Sequence, residues 1–230
     1  MNIQQLKPAS ELAKRAGVKI LAYGPPGTGK TPIAQTANKP VLCAIEPGLL
    51  SMKNATGLAT WAAHDEDPVK CLAKCHEFFD WAFRSAESKQ FETICVDSVT
   101  EYAQVVLKCE LKGNKHGMQA YGKMAETVMN MMNAIYYSDR NWYLICKQSI
   151  TEIEGQPTKM PGFPGGQINR DIPHLFDEIL CLDMANIPGV GQQIAFRTKK
   201  AFGVVARDRS GNLAEFEPPH LGQIFQKCMS

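Results

Sequence analysis

The residues best suited to chemistry stand near the start of the chain. Gly24-Pro25-Pro26-Gly27-Thr28-Gly29-Lys30-Thr31 fits the spacing G-x-x-x-x-G-K-[ST]. Glycines at these positions let the backbone curl until successive amides point inward at phosphate oxygens. A helix opened by such a loop adds partial positive charge at its N-terminus. Lys30 is placed to bridge the β and γ phosphates of ATP, and Thr31 to hold Mg²⁺. The pattern has meaning only between a strand and a helix. Val18-Lys19-Ile20-Leu21-Ala22-Tyr23 reads as that strand, and a helical stretch runs from the loop to Ala37.

A phosphate-bound metal needs a second carboxylate on a neighbouring strand. Thr93-Ile94-Cys95-Val96-Asp97 supplies one, an apolar strand that ends in Asp97 at the ligand edge. The alternative for Asp97 is a simple cap of the next helix, and the two roles are compatible. Hydrolysis also needs a group to activate water. Glu46 follows the strand Val41–Ile45 and is the favoured base; the alternative is a turn residue before Pro47-Gly48. Gln148 ends the strand that begins at Trp142 and is placed to sense the γ-phosphate, or else is simply a polar strand end.

These positions require a frame. Strands alternate with helices over the first 150 residues, which predicts an α/β fold with a mainly parallel sheet covered on both faces. Asp67-Pro68 starts a helix, with Asp as cap and Pro at its first position. Its apolar face reads Val69, Leu72, Cys75, Phe79 and Ala82 or Phe83. A second helix carries Val99, Tyr102, Val106 and Cys109, and a Met-rich third carries Tyr121, Met124, Val128, Met131 and Ile135. Residues 151–169 read as a Gly- and Pro-rich loop. Glu178–Met184 is a fifth strand, and Ile194–Thr198 with Val204–Arg207 a late antiparallel edge hairpin. Residues 1–17 form a lead-in helix and 18–230 the core domain.

Composition bounds the classes. Hydrophobic residues are 44% and charged residues 21%, which excludes wholesale disorder, collagen and coiled coil. Net charge is +2, so any nucleic-acid binding must come from local clusters. No apolar run approaches the roughly 18 residues of a membrane helix, and Met1–Lys19 lacks an apolar signal core. A cytoplasmic protein with no membrane partner is expected. Eight cysteines are too sparse for a disulfide scaffold and read as reduced. Cys71, Cys75 and His76 read as ordinary helix residues rather than a metal site.

The order of the pieces resembles the RecA-like P-loop core: the loop Gly24–Thr31, then Ile45-Glu46, Val96-Asp97-Ser98 and Lys147-Gln148. With Asp-Glu-Ile-Leu at 177–180 and Ala-Arg-Asp-Arg-Ser-Gly at 206–211, the chain looks like the phage RecA-like single-strand annealing ATPases over about residues 18–225. The resemblance implies ATP and Mg²⁺ as ligands, with Thr31 and Asp97 serving the metal. It implies Arg207 and Arg209 acting in trans on a neighbour's ATP, where the family pattern has lysines. It implies single-stranded DNA as partner, head-to-tail self-assembly into a ring or filament, and a single-strand-binding protein as a further partner. DNA would then lie along two loops near the γ-phosphate end, one offering Lys112, Lys115 and His116, the other Lys159, Phe163 and Arg170. The stretch 193–210 is the most basic and could serve either DNA or ATP. An AAA+ motor or loader uses the same loop wording. Ser98 in place of Glu and the short stretch after the fifth strand, too short for a helical lid, oppose it. A small-molecule kinase and an ATP-gated DNA-binding protein without turnover are the other readings.

Overall fold

The computed structural model describes residues 17–113 and 117–230. The lead-in helix expected before Gly17 therefore lies outside the described residues, as do Lys115 and His116.

Five strands form the parallel centre: β1 (Lys19–Gly24), β2 (Pro40–Ala44), β4 (Thr93–Asp97), β5 (Asn141–Ile153) and β7 (Glu178–Ile187). The order across the sheet is β10-β8-β7-β1-β5-β4-β2-β3, with β3 (Ala59–Ala62) parallel at one edge. Antiparallel strands β8 (Gly191–Arg197) and β10 (Phe216–Glu217) extend the other edge. Side chains alternate cleanly. Leu21, Tyr23, Ile94, Val96, Trp142 and Leu144 enter one core, with Cys75, Phe79, Tyr102, Met124 and Val128 from α2 (Pro68–Arg84), α3 (Val99–Gly113) and α4 (Gly117–Tyr137). Ile20, Ala22, Leu42, Cys95 and Tyr143 enter the other, under α1 (Lys30–Ile33) and α6 (Leu221–Met229). Near-continuous apolar strands are what a sheet buried on both faces demands. The α/β architecture expected from the sequence, with a mainly parallel sheet and an antiparallel edge, is the one observed.

Several local readings are corrected. Residues 151–169 are not a loop. Strand β5 runs on to Ile153, turns at Glu154-Gly155 with φ of 52° and 77°, and returns as β6 (Gln156–Gly162). Two successive positive φ values make a tight hairpin turn. Pro157 and Pro161 suggested loop, yet among the described residues β6 has one ladder, to β5, with a single bridge from Lys159 to Val204 on its other side, and a strand so nearly at the edge tolerates proline. The late hairpin is β7–β8, closed by Pro188-Gly189 with a Val190 to Ile187 hydrogen bond of 3.0 Å. Residues 207–208 form β9, which pairs with β7 instead. The helical stretch to Ala37 is α1 followed by a 3₁₀ turn, Ala34–Thr36. On α2 the buried face is Cys71, Cys75, Phe78, Phe79 and Ala82, while Val69 and Phe83 are exposed. On α4, Tyr121 is exposed and Met132 replaces Met131 in the core. Asp67 does cap α2, accepting from Val69 N at 3.1 Å. All eight cysteines are free thiols. No described helix is long and apolar enough to cross a membrane.

One buried carboxyl sets a pH dependence. Glu178 opens β7, is fully buried, and accepts from Ser210 N at 3.2 Å. Burial, with the charge of Asp208 adding to it, pushes Glu178 up to about 7 against that hydrogen bond. Burial also opposes the charge on Asp208, yet Lys199, Ser210 and the amides of Gly211 and Leu213 hold Asp208 down at about 2. Between the ordinary Glu value of 4.5 and about 7, the folded chain keeps a proton on Glu178 that the unfolded chain has released. Stability from this group is therefore full below that window and is lost as pH rises through it. Glu178→Gln should stabilise the protein at pH 8, by up to about 3 kcal/mol, and change little at pH 4. Denaturation curves at the two pH values check this; an equal effect at both would refute it.

Candidate nucleotide site

Parallel strands all end on one side of the sheet, and the candidate residues collect there. Lys147 lies opposite Gly24 across β1–β5, Ile145 opposite Asp97 across β4–β5, and Asp97 opposite Ala44 across β2–β4. The ends of these four strands surround a cleft of about 460 Å³, walled by Gly24–Gly27, Lys30, Thr31, Glu46, Asp97, Ser98, Lys147 and Gln148. This is the carboxyl edge where ligands settle in open α/β sheets.

The loop adopts a phosphate-cradling shape. Gly27 and Gly29 have φ of 81° and 89°, a region a side chain disfavours. Thr28 donates to Pro25 O at 2.9 Å, and the Lys30 ammonium donates to Gly24 O at 2.8 Å and Pro25 O at 2.7 Å. Burial lowers the Lys30 pKa, while Asp97 and Glu46 act to raise it. Because α1 has only four residues, a helix dipole adds little here, and any attraction for phosphate would fall to the loop amides and Lys30. Tyr143 fixes the start of α1 by donating to Lys30 O at 3.0 Å.

Thr31 donates to Asp97 Oδ2 at 2.5 Å. Burial raises the Asp97 pKa, Thr31 opposes this, and the charge of Glu46 adds to it. A half-buried carboxylate beside a hydroxyl is a hard-oxygen donor set that fits Mg²⁺. The helix-capping role considered for Asp97 belongs to Ser98, whose hydroxyl accepts from Glu101 N at 3.1 Å. Glu46 is held by two hydrogen bonds. Its amide donates to Asp97 O at 3.3 Å, and its Oε1 accepts from Ser98 Oγ. Gln148 lines the same cleft, within β5 rather than at its end, and its Oε1 is buried without a partner among the described residues. Sequence reasoning missed Ser98 and Glu101. The signal was present: Ser98-Val99-Thr100-Glu101 is the S-x-x-E pattern of a helix start.

The other expected residues lie elsewhere. The Arg207 guanidinium donates to Pro173 O at 2.7 Å and to Phe176 O, and Arg209 to Asp177 Oδ1 and His174 O, both at 3.1 Å. Both arginines belong to the segment paired with the start of β7, at the opposite edge of the sheet from the cleft. Phe163 is 6% exposed and belongs to the core, its backbone clamped by Asn169 at 2.6 and 3.1 Å, so it offers no ring for base stacking. Lys159 pairs with Asp183 at 2.6 Å, which joins the β5–β6 and β7–β8 hairpins. Lys112 approaches Asp67 at 3.4 Å, and Arg170 is exposed on α5 (Gly166–Asp171). The basic stretch 193–210 is largely neutralised: Arg197 pairs with Glu215 at 2.8 Å and Lys199 with Asp208.

Residues 16–210 match the model of the AAA domain family AAA_24. The chain belongs to that family. No curated protein matches the sequence. Similar solved structures include a KaiC-like protein from the hyperthermophilic archaeon Pyrococcus horikoshii OT3, at 13% identity and TM-score 0.44, over 79% of this chain and 77% of that one. The assembled type III secretion ATPase EscN of enteropathogenic E. coli is 14% identical at TM-score 0.47, over 72% of this chain and 43% of its own. A prototypical ATPase from the type III secretion system of pathogenic bacteria is 13% identical at TM-score 0.47, over 88% and 61%. This chain therefore spans less than two thirds of either secretion ATPase.

The approach of β7 to the loop is testable. A Cβ on Gly24 would stand 2.0 Å from Leu182 O, a backbone atom with no room to retreat. Gly24→Ala should destabilise by about 3 kcal/mol, the upper end of overpacking costs, measured by thermal or urea unfolding. Wild-type stability in this variant would refute the packing described.

Proposed function

We infer that the chain is an Mg²⁺-dependent ATPase that works on single-stranded DNA, with annealing or recombination as its output. One observation carries the ATPase part: Lys30, Thr31, Asp97, Glu46 and Gln148 converge on a single cleft from four strand ends. In this reading the backbone N–H groups of Gly27, Thr28 and Gly29 and the Lys30 ammonium bind the β and γ phosphates. Thr31 and Asp97 would hold Mg²⁺, which supplies charge neutralisation at the phosphates. Glu46 orients and deprotonates the attacking water. Gln148 presents its amide to the γ-phosphate.

The DNA part rests on the family resemblance read from the sequence and on where the β5–β6 hairpin sits. That hairpin continues directly from Lys147 and Gln148 and carries exposed Ile150 and Ile153. A change at the γ-phosphate would be transmitted along a continuous strand to that surface. Of the residues considered for DNA, Lys112 and Arg170 keep exposed cationic heads, Lys159 is paired with Asp183, and the buried Phe163 takes no part; Arg207 and Arg209, considered for a trans role on a neighbour's ATP, are bonded within their own chain. Head-to-tail assembly belongs to this reading and would set a neighbouring subunit beside the cleft.

A motor or loader is the second reading, favoured by the AAA domain match over residues 16–210.

ATP turnover with and without single-stranded DNA decides between them. Wild type should be stimulated by single strands, and Lys30→Ala should lose activity in both conditions. Stimulation by duplex alone would favour the motor. Turnover indifferent to any DNA would leave the ATPase and remove the recombination role. Glu46→Gln should lower kcat by roughly 10²- to 10⁴-fold while nucleotide binding persists; an unchanged kcat would exclude Glu46 as the base.

A further inference from the structure

Beside the cleft four residues close a ring, three of its links between side chains and one through a backbone amide, that the nucleotide-binding residues do not require. Glu101 N donates to Ser98 Oγ at 3.1 Å. Ser98 Oγ donates to Glu46 Oε1. Lys147 Nζ stands 3.3 Å from that same oxygen and 2.8 Å from Glu101 Oε2, which returns to the start. Glu101 is largely shielded, with an 18% exposed side chain, and Lys147 is at 45%. Burial works against the charge on Lys147, but the two carboxylates outweigh it and raise its pKa.

The backbones of the ring are not equally fixed. Lys147 is fixed on β5 opposite Gly24, and its amide donates to Thr100 Oγ1 at 2.9 Å. Thr100 in turn donates to Gly162 O at 2.7 Å, tying α3 to the end of β6. Glu101 is fixed on the first turn of α3. Glu46, by contrast, has left β2 and enters the turn at Pro47-Gly48. Its main-chain tether is one hydrogen bond of 3.3 Å. A carboxylate on such a turn needs an outside constraint to stay aimed, and an ammonium held by a second, anchored carboxylate supplies it. The hydroxyl and the ammonium both meet Oε1, which leaves Oε2 with the capacity to take a proton from water.

We propose that Lys147 is a positioning residue for Glu46, and that Glu101 is the anchor that holds Lys147 in place. Lys147 acts through Glu46 and is not a ligand of the phosphates. The inference rests on Glu46 being the base.

Three properties separate this role from phosphate binding or from simple stability. Lys147→Met should lower kcat of ATP hydrolysis by about tenfold to a hundredfold, the range that misplacing a catalytic group produces. KM and the Kd for ATP, from nucleotide titration, should stay within about twofold, as for an interaction that matters only in the transition state. Lys147→Arg should recover most of the loss. Glu101→Gln, which touches neither Lys147 nor Glu46 covalently, should lower kcat in the same direction by less. In a Glu46→Gln background, Lys147→Met should cause no further loss, because the group it positions is already gone.

A rise in Kd for ATP in Lys147→Met, or a full further loss of kcat in the Glu46→Gln background, would overturn the proposal and make Lys147 a phosphate ligand. If Glu46→Gln is inactive and Lys147→Met and Glu101→Gln are both normal, the positioning role alone fails. If Glu46→Gln keeps full activity, the assignment of the base fails and the positioning role with it. Thermal melting of each variant accompanies the kinetics. Should Lys147→Met melt early, Glu101→Gln and Lys147→Arg decide: normal kcat in the former refutes the anchor, and a kcat deficit in a stably folded Lys147→Arg equal to that of Lys147→Met refutes rescue by charge.

Discussion

Every residue of the cleft depends on the parallel register of β1, β5, β4 and β2. Parallel strands finish on the same side, so their last residues meet without any long loop having to bring them together. Gly24 stands opposite Lys147, and Asp97 opposite Ile145 two residues earlier on β5, because β5 pairs with β1 on one side and β4 on the other. The pairing in turn requires β7 to press against β1 so closely that Leu182 O occupies the space of a Gly24 side chain. A one-residue slip would turn the alternating side chains to the wrong core and lift the acidic residues away from the loop.

The charges in the cleft are arranged so that none stands alone in a low-dielectric place. Lys30 rests on two carbonyls, Asp97 on the Thr31 hydroxyl, Glu46 on Ser98 and Lys147, and Lys147 on Glu101. Removing a charge from water is expensive unless such partners replace it. The same partners fix direction. Direction is what a phosphate site needs, since the protein does little covalent chemistry there and acts by positioning and field.

Away from the cleft the positive charges are used differently. Arg207 and Arg209 close the segment 173–177 onto β9, and Lys199 and Lys227 neutralise the buried Asp208 and Glu217. Counted along the chain, residues 193–210 look like a cationic surface. Their partners Asp177 and Glu215 come from other parts of the chain. Local charge counts overstate free charge for this reason, and so the basic stretch offers less to a polyanion than its composition suggests.

The sequence by itself determined the parallel centre, the loop Gly24–Thr31 and the positions of Asp97 and Glu46 where β4 and β2 end; Gln148 it placed at a strand end, whereas β5 continues five residues past it. Those features are written in short-range patterns: apolar runs, glycine spacing, an acidic residue where a run stops. The Asp67-Pro68 helix start was legible for the same reason. Tertiary structure alone decided the rest. Strand β3 is short and mostly exposed, so no periodicity announced it. The β5–β6 hairpin was hidden by prolines that only an edge position makes tolerable. Phe163 and Arg207 were withdrawn from the surface by packing and by carbonyls distant in sequence. The ring through Ser98, Glu46, Lys147 and Glu101 joins residues up to 101 positions apart between its ends, Glu46 and Lys147. Side-chain direction and long-range pairing depend on which strands become neighbours, and that is settled by burial of the whole sheet rather than by any local stretch of chain.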